Sequence, residues 1–209
     1  AKDLLAYEGS PEKGYRIPAR FERFERLLLA RHPELSLRRL EMRHLERDAE
    51  AVWRISNGAM AGNWGFVPAT PEEFEHAAAQ MRLLHEPALS AVAEIRGEPV
   101  GLSLILRDLN RVLRGTNGRL LPFGLVRILF GLPRVRQVRV LALGVVPEAR
   151  GRGINEALFL RAADMSLAKG IDAGEAGWIL EDNERMAAPI RALGGIPWKR
   201  YRLYEMDTA

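Results

Sequence analysis

The feature that constrains the fold most is an apolar run that ends at a proline and leads into a glycine-rich turn. The run spans residues 138–146, Pro147 ends it, and Gly151 and Gly153 follow closely. An apolar run of this length, in which Arg139 is the one charged residue, predicts a strand that is buried on both faces of a sheet. Apolar residues at helical spacing from Ile154 onward predict a helix to about residue 169, where Lys-Gly ends it. A strand, a tight turn and a helix in this order predict an α/β architecture.

The turn between this strand and helix has the chemistry of a phosphate site. Gly151 and Gly153 let the backbone approach a ligand without a Cβ atom in the way. The first turn of the helix carries unpaired N–H groups and a partial positive charge, which together bind phosphate. Arg150 and Arg152 add cationic side chains. A turn without a ligand is the alternative, but the buried strand, the proline and the two arginines favour phosphate.

Periodicity and turn residues predict the remaining elements. Helices are expected at 20–30, 45–59, 70–84 and 183–193, and strands at 35–41, 89–95, 99–106, 173–180 and 198–205. Residues 1–34 are polar and weakly patterned, so we interpret them as an N-terminal extension that packs on a domain spanning 35–209. Residues 107–135 contain several glycines and prolines, which interrupt regular helices and strands. They are interpreted as an inserted segment of that domain.

Composition excludes several classes of site. The chain has 209 residues, of which 47% are hydrophobic, so it can build a full core. It has no cysteine, which excludes disulfides, cysteine zinc sites and a cysteine nucleophile. The four histidines lack metal-ligand spacing, so no metal is expected. No apolar stretch is long enough for a membrane helix, and the polar start lacks a signal peptide, so we expect no integral membrane segment and a cytoplasmic location.

Residues 145–154, Val-Val-Pro-Glu-Ala-Arg-Gly-Arg-Gly-Ile, resemble the acyl-CoA-binding motif of the GNAT superfamily of N-acetyltransferases. That motif has Arg or Gln, two residues, Gly, one residue, and then Gly or Ala. Arg150 and Gly153 match it, and Asn155 replaces the final small residue. The resemblance implies an α/β (α+β) fold with a mixed, mostly antiparallel central sheet flanked by helices. It also implies acetyl-CoA or another acyl-CoA as the cofactor, held by Leu143, Val145, Val146, Arg150, Gly151, Arg152, Gly153, Ile154 and Asn155.

A second match is the segment 178–183, Trp-Ile-Leu-Glu-Asp-Asn, which precedes a predicted helix. GNAT proteins often place an Asn at this strand end near the pantetheine arm, which implies that Asn183 contacts the cofactor. Many also carry a Tyr seven residues later as the general acid, where this chain has Ile190. The catalytic candidates are therefore Glu181 as the base, followed by Glu175 or Asp182, and Tyr201 or Tyr204 as the acid. Capping of the next helix by the acids and surface positions for the tyrosines are the alternatives.

The whole chain also resembles the C-terminal part of a group of bacterial GNAT-like proteins. The residues that carry this likeness lie in the segments 63–68, 108–110 and 199–204. Trp64 and Phe66 are candidates to line an acceptor pocket, with a core role as the alternative. Asp108 and Asn110 are candidates to contact an amine, or else to make a turn.

The charge of the chain is uneven. Its net charge is +4, and residues 107–139 contain eight arginines against one acid, Asp108. This is either a solvated basic face or a surface for a CoA phosphate, an acidic acyl carrier protein or a lipid head group. The arginines lack interleaved aromatic residues, so no nucleic-acid partner is expected.

We therefore predict an acyl-CoA-dependent N-acyltransferase, with acetyl-CoA as the expected donor and a small-molecule amine as the acceptor. One alternative is transfer of a long acyl chain from an acidic acyl carrier protein, with the chain lying along residues 120–132. Another is a GNAT-like domain that binds CoA without turnover. Formation of a homodimer is left open.

Overall fold

The computed structural model of the chain describes residues 1–13, 23–40, 45–81, 89–116, 118–119, 121 and 123–206. In this part of the chain seven strands form one sheet: β1 (Lys2–Gly9), β2 (Leu35–Arg39), β3 (Ala91–Ile95), β4 (Glu98–Arg107), β5 (Gln137–Val145), β6 (Ala173–Leu180) and β7 (Ile196–Leu203). Their order is β2-β3-β4-β5-β6-β1-β7. Only β5 and β6 run parallel, and the other neighbouring pairs are antiparallel. The predicted mixed, mostly antiparallel sheet is confirmed.

The described helices flank this sheet on both faces. They are α1 (Phe24–Arg31), α2 (Leu45–Met60), α3 (Pro71–Met81), α4 (Asn110–Leu113), α5 (Gly124–Gly131), α6 (Ile154–Ala168) and α7 (Glu184–Ala192). Ile154 and Leu158 of α6 are buried against Ala93 on one face, whereas Val52 and Ile55 of α2 are buried on the other. Burying each large apolar side chain contributes about 1.5–3 kcal/mol. None of the described helices combines the length and apolar character that crossing a bilayer requires.

The start of α3 is a capping box formed by Thr70 and Glu73. The Glu73 amide donates to Thr70 Oγ1 at 3.2 Å, and the Thr70 amide donates to Glu73 Oε2 at 2.9 Å. This reciprocal pair satisfies two amides that the first helical turn leaves without partners. The predicted ends at residues 20–22 of the first helix and 82–84 of the third lie outside the described residues.

Strand β1, like helices α4 and α5, is not predicted by the sequence pattern. Residues Lys2–Gly9 pair antiparallel with both β6 and β7, so they are part of the central sheet and not an extension packed on it. The apolar stretch of β1 is short and bounded by charges, which hides its strand character. Asp3, next to that stretch, is neutralised within the sheet by Arg200 and Arg202. Ala6 and Tyr7 are buried in the core.

Strand β5 differs from its prediction in one respect. The sequence predicts burial on both faces, yet Leu141 is 44% exposed. The register explains this exposure, because Ile105 pairs with Val140 and Leu104 pairs with Ala142, which leaves Leu141 as a bulge. A bulged residue is unpaired and turns away from the regular alternation. Strand β7 also ends at Leu203, before the predicted end at residue 205.

The segment 107–135 connects β4 to β5 through α4, α5 and a 3-10 turn at Leu132–Arg134. The Asp108 amide donates to the Gln137 carbonyl at 2.9 Å, and Arg107 Nη1 donates to the Val135 carbonyl at 2.8 Å. These bonds hold the segment at the first residue of β5. It therefore lies at the opposite end of β5 from the glycine-rich turn.

Candidate functional site

Strands β5 and β6 separate halfway along their length. Their parallel register runs only from Gln137 opposite Ala173 to Val140 opposite Ala176. Beyond that point β5 continues beside β4 to Val145, and β6 continues beside β1 to Leu180. Beyond Val140 the backbone groups that face the gap have no partner strand among the described residues, so they can bond an extended ligand. A chain of amides, such as pantetheine, can add to such an edge in the way that a strand does.

The glycine-rich turn lies at the open end of this gap. Gly153 is the N-cap of α6 with φ of 80°, and Gly151 has φ of 76°. A Cβ atom on Gly151 would meet nothing within 4 Å, so the space above that residue is open. The amides of Ile154 and Asn155 have no acceptor among the described residues. Open space, aligned donors and the positive end of α6 fit a pyrophosphate.

The two arginines of the turn have different roles. Arg150 Nε donates to the Val145 carbonyl at 3.1 Å, and its Nη2 donates to the Ala59 carbonyl at 3.0 Å. Arg150 therefore ties the end of α2 to the end of β5. Arg152 is exposed and has no ion-pair partner among the described residues. The pKa of Glu34 is lowered mainly by a backbone hydrogen bond, with a smaller contribution from the charge of Arg152. Arg152 is thus the side chain available to an anion.

Two asparagines connect the turn to α7. Asn155 Nδ2 lies 3.8 Å from the sulfur of Met186, so its side chain is directed towards α7. Asn183 is the N-cap of α7, and its Oδ1 accepts from the Met186 amide at 3.3 Å. Met186 thereby joins the two asparagines at the edge of the gap. The Nδ2 group of Asn183 remains available there as a donor.

Helix α2 approaches β5 closely on the other face of the sheet. A Cβ atom on Gly144 would lie 2.7 Å from the Cβ of Ala59. The loop after α2 carries Trp64, which is exposed, and Phe66, which is half-buried. Because Arg150 bonds Ala59, this loop begins beside the turn. Trp64 and Phe66 are therefore on the α2 side of the site.

A charged cluster lies where β5 and β6 are still paired. Glu175 is buried, and Lys199 Nζ donates to its Oε2 at 3.1 Å. Arg139 Nη2 lies 2.7 Å from its Oε1 as an ion pair, although the two atoms are not aligned as a hydrogen bond. Glu8 is the cross-strand neighbour of Glu175 and is paired with Lys13. Both buried carboxylates are therefore compensated by cations, as burial of charge requires.

The predicted catalytic residues lie on the β1–β7 side of the gap. Glu181 is 46% exposed, and its Oε1 accepts from Arg200 Nη2 at 2.7 Å. The Tyr201 ring lies edge-on to Trp178 of β6, with centroids 5.7 Å apart. Tyr204 follows the end of β7 and is 82% exposed. Of these three, Tyr201 has a side-chain contact with the separated half of β6.

Asp108 and Asn110 bond each other at the start of α4. Asp108 Oδ1 accepts from the Asn110 amide at 3.2 Å and from Asn110 Nδ2 at 3.0 Å. Asp108 is buried. The pair makes a turn, which was one of the two roles that the sequence left open.

An apolar cavity lies between α6 and the sheet, directly under the point where β5 and β6 separate. Its walls include Val140 and Leu143 from β5, and Phe159 and Ala163 from α6. Ser103 of β4 also lines it, and its hydroxyl has no hydrogen-bond partner among the described residues. The cavity can accept an apolar chain.

Sequence reasoning did not find Glu8, Lys13, Arg139 or Lys199 as members of the site. Glu8 and Lys13 depend on β1, which the sequence did not predict. Arg139 and Lys199 lie 60 residues apart in the chain, and only sheet pairing brings them to one carboxylate. The cluster of basic residues Lys199, Arg200 and Arg202 in β7 was the one available signal.

Comparison with known proteins identifies relatives of this chain. No protein-family model matches it. It is 31% identical to the bacterial ceramide synthase of Caulobacter vibrioides over 211 residues, covering 98% of this chain and 54% of that protein. It is 34% identical to protein YghO of Escherichia coli over 178 residues, covering 82% of this chain and 46% of that protein. The chain thus spans about half the length of the curated relatives it matches.

Solved structures show the same fold. A GCN5-related N-acetyltransferase from Sphaerobacter thermophilus superposes with a TM-score of 0.59 at 18% identity, covering 96% of this chain and 50% of that one. An N-acetyltransferase from Staphylococcus aureus superposes with a TM-score of 0.52 at 20% identity, covering 76% of this chain and 81% of that one. At these identities the likeness establishes the fold of the chain.

Proposed function

Since the chain is a GNAT-like protein by its fold, we propose that it is an acyl-CoA-dependent N-acyltransferase whose acceptor is a lipid amine. The observation that carries the proposal is the gap between β5 and β6, which opens onto the glycine-rich turn. The turn offers backbone donors and Arg152 to a pyrophosphate, and the gap offers backbone groups to pantetheine. One site therefore fits the two chemically distinct parts of CoA.

The acceptor class is inferred from the relatives. Caulobacter ceramide synthase makes, by its name, an amide of a long-chain amine. In the proposed reaction the amine nitrogen attacks the thioester carbonyl, the C–S bond breaks, CoA leaves as thiolate, and the amine loses one proton. The chain has to orient the donor and acceptor and to accept that proton.

We assign the proton acceptor to Glu181 rather than Glu175. Glu175 is buried and both of its oxygens lie beside cations, so neither oxygen is open to a substrate amine. Among the described residues Glu181 is paired through Oε1 alone, so its Oε2 can take a proton directly or through water. Glu175 would then position Lys199 and Arg139. Tyr201 is the candidate donor to the departing thiolate because it lies beside Trp178.

The donor is proposed to carry a long acyl chain. The apolar cavity under α6 begins at Val140 and Leu143, where the thioester end of CoA would lie in the gap. Acetyl-CoA would leave this cavity unfilled. A chain of several methylene groups would fill it and remove apolar surface from water, at about 0.8 kcal/mol for each buried methylene.

Calorimetry with CoA, acetyl-CoA and palmitoyl-CoA tests the donor site. We expect binding of all three, tightest for palmitoyl-CoA, and a loss of affinity of about fivefold to tenfold in Arg152→Ala. Arg31→Ala is the matched control, since Arg31 is an exposed arginine on α1. Absence of binding at millimolar CoA would refute the proposal.

Detection of free thiol tests turnover. Sphinganine serves as the lipid amine and ethanolamine as its short counterpart. CoA release above hydrolysis with sphinganine, and much less with ethanolamine, is the expected result. Glu181→Gln should lower kcat, whereas Glu175→Gln should lower stability as well. CoA binding without release of thiol for either amine would identify a binding domain instead of an enzyme.

A further inference from the structure

Helix α5 exposes its large apolar side chains and packs through its glycines. Gly124 is buried, and a Cβ atom there would overlap the carbonyl of Arg119. A Cβ atom on Gly131 would lie 3.0 Å from Val112 of α4. The glycine side of α5 is thus its packed side. A surface helix of a soluble domain normally turns its large apolar residues inward, so this arrangement is reversed.

The outward side of α5 is an apolar surface. Leu125, Val126, Leu129 and Phe130 are between 48% and 65% exposed. At 100° for each residue they cover an arc of about 140°. Phe123, one residue before the helix, is 78% exposed and extends the surface. A contiguous exposed apolar surface marks an interaction site.

Arginines lie beside α5, on the side of the helix that carries Gly124 and Gly131. Arg114 and Arg119 are exposed and have no ion-pair partner among the described residues. Beside α5 lies an open cavity lined by Arg111, Arg127, Arg134 and Arg136, with Asp172 as its acidic residue. Asp108, the one acid between residues 107 and 139, is buried. Arg136 of this cavity is paired with Asp172 and Arg111 with Glu8, whereas Arg127 and Arg134 have no ion-pair partner among the described residues. A partner that is both apolar and anionic would match the apolar side of α5 and the arginines beside it.

We propose that α5 docks this chain on a bilayer that contains anionic phospholipids. Leu125, Val126, Leu129 and Phe130 lie at the boundary of the acyl chains, and the arginine-lined cavity binds lipid phosphates. Amphipathic helices with basic neighbours bind membrane surfaces in this way. An acidic carrier protein would satisfy the arginines but would leave the four apolar side chains without a matching environment.

The position of α5 gives this docking a consequence for substrate entry, which rests on the proposed function. Helix α5 lies near Gln137, which is the first residue of β5. The glycine-rich turn follows Val145, which is the last residue of β5. Nine residues of strand span about 30 Å. CoA would then enter from water at the turn, and the lipid amine would enter from the bilayer at the other end of β5.

Co-sedimentation of the 209-residue chain with vesicles tests the docking without any acyl donor. We expect binding to vesicles of equal parts phosphatidylglycerol and phosphatidylcholine, and much weaker binding to phosphatidylcholine alone. Leu129→Ser with Phe130→Ser should lower the partition coefficient by at least about tenfold. Arg114→Glu with Arg119→Glu should reduce binding and its dependence on salt.

Matched controls keep the result specific. Val67→Ser with Met206→Ser removes exposed apolar side chains elsewhere, and Arg26→Glu with Arg31→Glu reverses exposed charges on α1. Both controls should bind vesicles as the parent chain does. Circular dichroism and the thermal midpoint show that each variant is folded, and CoA binding is measured separately, so failure of docking is distinguishable from failure of the proposed function.

Three results would overturn the inference. They are no binding to anionic vesicles, equal binding by the α5 variants and the parent chain, and equal binding to neutral and anionic vesicles. If the α5 variants instead abolish self-association in sedimentation velocity while vesicle binding is absent, the surface is an interface between two copies.

Discussion

The Cβ atom of Ala59 lies 2.7 Å from the position that a Cβ atom on Gly144 would occupy, so α2 rests directly on the backbone of β5. This contact is next to the half of β5 that separates from β6. It fixes the wall of the gap on the α2 side. A side chain at residue 144 would push α2 and β5 apart.

Gly144→Ala is therefore expected to destabilise the protein by about 1–3 kcal/mol, because the overlap involves a Cβ on each element and neither can rotate away. The free energy of unfolding of each variant is measured by denaturant titration. Gly62→Ala is the control, since a Cβ there meets nothing within 4 Å and the backbone is not left-handed. Equal stability of the two variants would contradict the close contact.

The two glycines of the turn differ in a way that can be measured. Gly151 and Gly153 both have positive φ, so alanine at either position costs about 1–2 kcal/mol in backbone strain. Alanine at Gly153 also meets the Phe24 ring at 3.0 Å, whereas alanine at Gly151 meets nothing. Gly153→Ala should thus lower thermal stability more. Adding Phe24→Leu to each variant should recover part of the loss for Gly153→Ala and none for Gly151→Ala, as a double-mutant cycle would show.

The cavity under α6 predicts which donor is preferred. Ala163→Leu would fill the cavity, so kcat/KM should fall by about tenfold for palmitoyl-CoA and stay nearly unchanged for acetyl-CoA. Ala168→Leu makes the same change at the exposed end of α6 and should alter neither donor. A parallel loss for both donors in Ala163→Leu would show that the cavity does not hold the acyl chain.

Acid should weaken the attachment of β1. The Arg202 guanidinium, through a hydrogen bond and its charge, and then Arg200 hold the pKa of Asp3 below its ordinary value of 3.8. The folded state therefore binds this proton less readily than the unfolded state. The stabilisation is fully present above 3.8 and is lost as the pH falls through the lower folded value.

Asp3→Asn should accordingly lower the thermal midpoint at about pH 6, and this difference from the parent chain should shrink as the pH falls below 3.8. Asp182→Asn is the comparison, because Asp182 is an exposed partner of Lys2 with a pKa lowered chiefly by that hydrogen bond. Its effect at neutral pH should be smaller, since exposed pairs are screened by solvent. A constant difference between the parent chain and Asp3→Asn across this range would exclude the ion pairs as the cause.

Much of the fold was predictable where local pattern and tertiary role agree. The Thr70 cap, the turn with Gly151 and Gly153, and the amphipathic α2 follow from backbone rules that act within a few residues. The pattern failed at β1 because its four-residue apolar core is no longer than many loop segments. It also failed at Leu141, because a bulge is a property of strand pairing and not of either strand alone.

The sequence by itself determined the glycine-rich turn, since two glycines, a preceding proline and a following helix are local features. It also determined the arginine-rich character of residues 107–139. The tertiary structure alone decided that β5 and β6 separate after Val140 and that Glu175 pairs with both Arg139 and Lys199. It also decided that α5 exposes its apolar side chains. Each of these depends on contacts between residues far apart in the chain. Such contacts are set by packing and sheet register, and these leave no local pattern in the sequence.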